Sequence, residues 1–505
     1  MYDSGMDAKE KLKQELREGR LDPERLVDLI VELQQALQQS QRRIAELERK
    51  LKGFAKAETA EPYSMRAEEK RQQRRGKKRR KPVSGRRGRI GTAEKIALAE
   101  RREKVFPAEV RESDCWLSHV RPLWRLENNR AVLVAYEIYR GPGNRYGKIP
   151  GALGRSEFGL EVVVAISHLV YVTGLSYDKV CLVFGFFQNL PLRKSQIDAL
   201  LTRLSRQWER EFETLCALLA NSAVVHADET SWSLNSVWAF VSEKARILLF
   251  GVHKDAQTLA KMLDSTTFAG IVISDHAAVY ASFSESQKCW AHLLRKAIQL
   301  TLQNPAKTEY RQFTDQLLEI YQAACAAQRD GRLGDAGRAL KVAVFQHRLC
   351  ELCKPVILSD STSLRKLDKD YVLLANELVD LTMAQQLFTF VTAPPVTLPN
   401  GQKQSVAGTN NEAERTLRPV SEARKTGRTS KTSKGARRQT ILTSVLQSLR
   451  QYLPNFTLAT VSAEVQNWVV KGQSCFDKYL KKLKIPLPEA PRLDQLFPKT
   501  QSPSA

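Results

Sequence analysis

Three acidic positions in this chain stand where carboxylates can be brought together. The stretch "AVVHADETSW", residues 223–232, runs from apolar, β-branched residues straight into Asp228 and Glu229. Behind it come "SVWAFVS" and "ARILLFGV", which read as strands, then a helical "DAQTLAKMLDS", then a strand "AGIVISD" that ends on Asp275. In an α/β sheet ordered this way the fourth strand can lie parallel beside the first. Their carboxyl ends then deliver both aspartates to the edge where such sheets bind ligands. Two carboxylates so placed repel unless a cation sits between them. Strand alternation puts His226, Asp228 and Thr230 on one face and Ala227 and Glu229 on the other, so only one of Asp228 and Glu229 can be the ligand. Aspartate is also an ordinary turn residue at strand ends, and among 55 acids such a pair does not establish a metal site alone.

A third region adds to it. In "AGTNNEAERTLRPVSEARKTGRTSKTSKGARRQT", Asn410 and Asn411 can cap a short helix that carries Glu412, Glu414, Arg415 and Arg418. Between Arg415 and Arg438 there are nine basic residues against one acid, Glu422. Arg415, Arg418, Arg424, Lys425, Arg428 and Lys431 are therefore candidates to grip and neutralise a phosphodiester; the plain alternative is a solvated basic face. Glu412 and Glu414 are two positions apart on the helix, so at about 100° per residue they point roughly 200° apart and one alone can join the aspartates. Glu412, in the first turn, has an ordinary role as an acid favoured by the helix dipole.

The elements that must position these residues follow from composition. A chain of 505 residues with 42% hydrophobic content is expected to form two to four domains. Half of its +24 net charge is held by residues 70–89, "KRQQRRGKKRRKPVSGRRGR", which contain twelve Lys or Arg and no acid. That piece is either a solvated linker or a nucleic-acid-binding arm, with Lys77, Lys78, Arg79 and Arg80 at its centre, gaining affinity by releasing condensed counterions. Upstream, Leu26, Ile30, Leu33, Leu37, Ser40, Ile44, Leu47 and Leu51 alternate four and three residues apart, the spacing of a coiled-coil seam, after a helix start at Asp22 and Pro23. A partner helix suits this polar, glutamine-rich helix better than a globular core. Residues 160–222 read as helical, and "GLSYDKVCLVFGFFQNLPLRKSQIDALLTRLS" fits either a helix-turn-helix, with Arg193, Lys194 and Gln196 toward a groove, or a plain helical bundle.

Eight scattered cysteines look like reduced thiols, and the longest apolar stretch is broken by His168. With a charged start, secretion and membrane insertion are not expected and a cytoplasmic, nucleoid-associated location is. "HRLCELC" offers His347, Cys350 and Cys353 but lacks a fourth ligand, so structural zinc is not expected there.

"HADETSW", "SDHAAVY", "CWAHLLRK" and "GTNNEAERTLRP" together resemble the signature blocks of the insertion sequence 66 family of bacterial DDE transposases, over roughly residues 160–450. The resemblance implies an RNase H-like catalytic core in which Asp228, Asp275 and Glu414 are the metal-binding triad, interrupted by a helical insertion. Helix-period stripes such as Phe313, Leu317, Ile320 and Ala324 agree with that insertion. It implies two magnesium ions, cleavage at element ends by water, and attack of the freed 3′-hydroxyl on target DNA. Asn411 falls beside the triad in the last block. Cys289 and His292 form a C-x-x-H element found after the second aspartate in several DDE families, with either a packing role or a polar contact near the scissile phosphate. Many members carry a paired-cysteine zinc motif before the core; here that region has only Cys115, so zinc is not expected there. Two element ends must meet, which calls for a homodimer or larger assembly.

The expected architecture is an α/β RNase H-like core with an all-helical insertion, preceded by a coiled-coil helix, a basic linker and a helical DNA-binding region. The expected boundaries are a start at 1–20, the coiled coil at 21–52, the linker at 53–113, a small irregular or β segment at 114–159, and the helical region at 160–222. The core then occupies 223–300 and 396–453 around the insertion at 301–395, and a tail runs through 454–505. The rival readings are an RNase H-fold nuclease that cuts without joining, and a catalytically silent DNA-binding protein.

Overall fold

The computed structural model describes residues 90–128, 130–358, 366–487 and 491–497, together with Val31, Gln34, Gln35, Gln38, Gln39 and Gln41, which are helical and exposed. The seam residues from Leu26 to Leu51 and the arm at 70–89, with Lys77, Lys78, Arg79 and Arg80, lie outside the described residues. The chain divides into two compact units, Met1–Arg79 and Arg80–Ala505, and the second holds all of the described sheets.

Two segments carry more structure than the sequence reading assigned them. The supposed linker contributes helix α1 (Thr92–Ala97) and strand β1 (Arg101–Val105). β1 pairs in parallel with β3 (Arg130–Gly141), which forms a long antiparallel hairpin with β2 (Trp116–Glu127) and also pairs with the short β4 (Arg145–Tyr146). "RREKV" is hidden as a strand because it is an edge strand with charged, mostly exposed side chains, so no apolar alternation marks it.

Helices α2 (Leu160–Tyr171), α3 (Tyr177–Gln188), α4 (Lys194–Gln207) and α5 (Glu209–Ala220) come next. Ser176 caps α3 through the amide of Lys179, and left-handed Asn189 ends it, so a tight turn feeds α4. α4 buries Ile197, Leu200, Leu201 and Leu204 in the same core as α2, α5 and the central sheet. This helix pair is thus a layer of the main core.

The central sheet has five strands: β5 (Val224–Ser231), β6 (Ser236–Ser242), β7 (Arg246–Val252), β8 (Ile271–Ser274) and β9 (Ser286–Lys288), with α6 (Ala256–Met262) between β7 and β8. Their order is β7-β6-β5-β8-β9; the β7–β6 and β6–β5 pairs are antiparallel, and β5, β8 and β9 run parallel. α7 (Trp290–Gln303) leaves β9 and leads into α8 (Thr308–Arg329), α9 (Asp335–Ile357), α10 (Lys366–Met383) and the short α11 (Thr389–Thr392). Trp290, Phe313, Leu317, Ile320, Phe345, Leu378 and Phe390 form their core, which reaches the sheet at Ile273. A two-stranded ribbon, β10 (Val396–Thr397) with β11 (Lys403–Gln404), returns the chain to α12 (Asn411–Lys425) and α13 (Ser433–Tyr452).

α13 closes the exposed edge of the sheet. Thr440, Ser444 and Ser448 recur every four residues, so their hydroxyls line one face of the helix. They accept the amides of Phe250 at 2.9 Å, Leu248 at 3.0 Å and Arg246 at 2.9 Å, and the two serines also donate to the carbonyls of Leu248 and Arg246. Edge groups that would otherwise template aggregation are satisfied by side chains.

The supposed C-terminal tail is helical: α14 (Leu458–Lys471), α15 (Cys475–Lys482) and α16 (Arg492–Leu496) bury Val461, Trp468, Phe476, Leu480, Leu493 and Leu496 in the main core. Capping boxes at Thr457 with Thr460 and at Ser474 with Asp477 start the first two of these helices. Among the described residues no helix is long and apolar enough to cross a membrane.

Candidate active site

The last paired rung between β5 and β8 joins His226 to Ile273. Asp228, on β5, and Asp275, just past the end of β8, each stand two residues beyond that rung, so the parallel register directs both toward the same edge of the sheet. Past the rung the carbonyl of Ala227 has no strand partner on this side, and the side-chain amide of Asn410 donates to it at 2.8 Å. Asn410 is wholly buried, and its own backbone amide donates to Cys289 Sγ at 3.1 Å. It precedes α12 without making the side-chain cap expected of it; its amide nitrogen instead pins α12 across β5. Asn411 opens the helix itself.

The two adjacent acids on β5 have different surroundings. Glu229 is almost fully buried, and Lys254 Nζ reaches it at 2.6 Å while the Tyr280 hydroxyl also donates to it. Among the described residues Asp228 accepts only the amide of Glu229, at 2.9 Å. Burial first, then the charge of Glu229, then those of Asp275 and Glu414, raise the Asp228 carboxyl to about 7. Asp228 is thus the acid whose charge lacks compensation, and it feels both other members of the expected triad. Asp275 accepts the amide of Ala277 at 3.1 Å in a tight turn. Beside it lies Lys288, a buried ammonium lowered by burial to about 8, with Ser274 Oγ at 3.2 Å.

On α12 the two glutamates part as the helical angle requires. Glu412 faces β7 and meets Arg246 at 3.2 Å and Arg415 at 3.1 Å. Glu414 faces α7, where Arg295 Nη2 donates to it at 2.7 Å and His292 Nδ1 lies 3.6 Å away. Asp228, Asp275 and Glu414 share one electrostatic neighbourhood, but their oxygens do not gather as tightly as the ligand atoms of Cys289, His292 and Glu414. The latter three are the one group of potential ligands among the described residues whose atoms all lie within 4.8 Å of one another. His347, Cys350 and Cys353 form no such group; Cys353 is buried in the insertion core, which pushes its thiol up to about 12.

The candidate basic contacts are exposed but partly committed. Arg424 donates to the carbonyl of Ser231 at 2.9 Å and Arg428 to that of Gly174, fastening the end of α12 and the following loop to β5 and to the α2–α3 turn. Arg415 is paired with Glu412 and Lys194 with Asp178, at 2.7 Å. Arg193 begins α4, where its backbone amide donates to Gln196 Oε1 at 2.9 Å. Arg418 and Lys425 are exposed on α12, and Lys431 is half-buried in the loop.

Sequence reasoning assigned no role to Lys254, Tyr280, Lys288 or Arg295. Of these Arg295 was accessible: it stands three residues after His292, one helical turn along the same face. The charge partners of Glu229 come from separate segments and leave no local signal.

Fold and site together define a mixed α/β protein with one aspartate on a central strand, a second just past the parallel strand beside it, a helical glutamate and a cationic flank. The chain belongs to the IS66 family of transposases, whose family model matches residues 155–438, more than half its length. It is a DNA-processing enzyme of the transposase class. No curated protein matches it significantly.

Proposed function

We propose that the protein cuts the ends of an insertion element and joins them to target DNA at a site formed by Asp228, Asp275 and Glu414, on a core of RNase H-like type. The observation that carries this reading is the matched position of Asp228 and Asp275 beyond a shared parallel rung, with Glu414 on the helix pinned across the same strand. Within this reading Asp228, Asp275 and Glu414 hold divalent metal. The donors fit: all are hard oxygens, as magnesium prefers, and the raised Asp228 carboxyl marks uncompensated negative charge that a cation relieves. When bound, such ions activate the attacking oxygen and stabilise the leaving one.

The chain's own groups do the rest. Arg418, Arg424 and Lys425 on α12, with Arg428 in the loop beyond them, hold the DNA backbone against the helix that carries Glu414. Lys254 and Tyr280 fix Glu229 in place, which keeps β5 rigid beneath Asp228. Lys288 places a buried ammonium, lowered to about 8, beside Asp275. The basic arm at 70–89 adds affinity without sequence preference, and the heptad seam from Leu26 to Leu51 joins protomers so that two element ends meet.

The test is strand transfer with pre-cut element ends, a target plasmid and magnesium. Covalent joining of end to target is expected. Nicking without any joined product would replace this reading by that of a nuclease.

A further inference from the structure

The geometry points to a second metal site, separate in chemistry from the aspartate pair: Cys289, His292 and Glu414 form an exchangeable site for a zinc-type ion. Cys289 sits at the start of α7 and His292 one turn along the same face. Glu414 reaches this face from α12, and the three potential ligand atoms already lie within 4.8 Å of one another. Ligands bound at 2.0–2.3 Å to a tetrahedral ion stand roughly 3.3–3.8 Å apart, so closing the site takes movements of about an ångström. His292 Nδ1 is buried and has no hydrogen-bond partner among the described residues, although Glu414 is 3.6 Å from it. A buried ring nitrogen left in that state is suited to accept a metal.

The surroundings of the sulfur fit the same ligand. Cys289 is 2% exposed, and Asn410 donates its backbone amide to Sγ at 3.1 Å. Burial raises the Cys289 thiol above its ordinary range, and the amides of Asn410 and, at the first turn of α7, of His292 and Ala291 offset part of that by favouring the thiolate a metal would hold. Amide hydrogens aimed at sulfur are the outer-shell support that metal thiolates use.

A thiolate, an imidazole and one carboxylate select zinc or cobalt, and magnesium, which requires hard oxygen ligands, is a poor fit. Three protein ligands leave the fourth position to water, the pattern of an open site as opposed to a structural one. On binding, the Cys289 thiol releases its proton to solvent, the metal takes the sulfur lone pair, and Glu414 gives up its bond to Arg295. Glu414 drawn toward this ion is drawn away from the aspartate pair, so zinc held here is an inhibitor. That consequence rests on the triad proposed above; the site itself does not.

The experiment is a cobalt titration of the full-length, metal-free protein, followed by the near-ultraviolet thiolate-to-cobalt charge-transfer band. The band is expected in the wild type, lost in Cys289→Ser, at least tenfold weaker in apparent affinity in His292→Ala and Glu414→Gln, and unchanged in Asp275→Asn. Serine is nearly isosteric with cysteine, and circular dichroism shows whether each variant is folded. No band, or a band that survives in folded Cys289→Ser, overturns the site; unchanged cobalt affinity in Glu414→Gln removes Glu414 from it. Zinc added to a magnesium-dependent nicking reaction should suppress it, and undiminished nicking with zinc bound would overturn the inhibitory role. An inactive triad with an intact cobalt band would sink the proposed function alone.

Discussion

Arg295 donates to Glu414 at 2.7 Å from α7, the helix that follows β9. Within the proposed triad, this guanidinium competes with a shared cation for the Glu414 carboxylate. Replacing Arg295 by Gln should free Glu414, so magnesium or manganese binding, measured by calorimetry without DNA, should tighten several-fold. Unchanged or weaker metal binding would show that Arg295 does not compete for this group.

The hydroxyl stripe on α13 makes a stability prediction. Ser444 accepts the amide of Leu248 at 3.0 Å and donates to its carbonyl at 3.3 Å. Both serine and strand are buried, so Ser444→Ala leaves two backbone groups unmatched, at a cost of about 1–3 kcal/mol. Denaturant unfolding of the variant should show a lowered midpoint with little change in slope. Wild-type stability would mean that water or a neighbour replaces the hydroxyl.

Glu211 provides a pH dependence. Burial, and then the nearby Asp477, raise this carboxyl to about 7, and its Oε2 has no hydrogen-bond partner among the described residues. The folded chain therefore holds this proton more tightly than the unfolded one. Stability from this residue is full below about pH 4.5 and falls as pH rises toward 7, with a limit of about 3 kcal/mol above that. Glu211→Gln should raise the melting temperature at pH 8 and leave it nearly unchanged at pH 4. Equal shifts at both values would contradict the assignment.

The central geometry was legible in the sequence because it rests on period and order. Three strands, a helix and a strand suffice to place Asp275 beside Asp228, and the helical angle alone separates Glu412 from Glu414. What was not legible depends on partners distant in the chain. Asn410 reads as a cap from its neighbours, but its amide is claimed by Ala227, 183 residues earlier. β1 carries no apolar alternation, and α16 is only five residues long, so its burial against the core follows from tertiary packing. Thr440, Ser444 and Ser448 show their four-residue spacing plainly, but only a known edge strand gives that spacing a meaning.

The most direct test is magnesium-dependent nicking of an end-containing duplex by purified Asp228→Asn, Asp275→Asn, Glu414→Gln and Glu412→Gln variants, each also assayed for DNA binding. Glu412 has two arginine partners and no place in the triad, so its variant should nick the duplex, with stability alone reduced. The other three should bind DNA and nick nothing, a loss of at least a hundredfold. Full activity in Glu414→Gln, or equal loss in Glu412→Gln, would contradict the proposed triad.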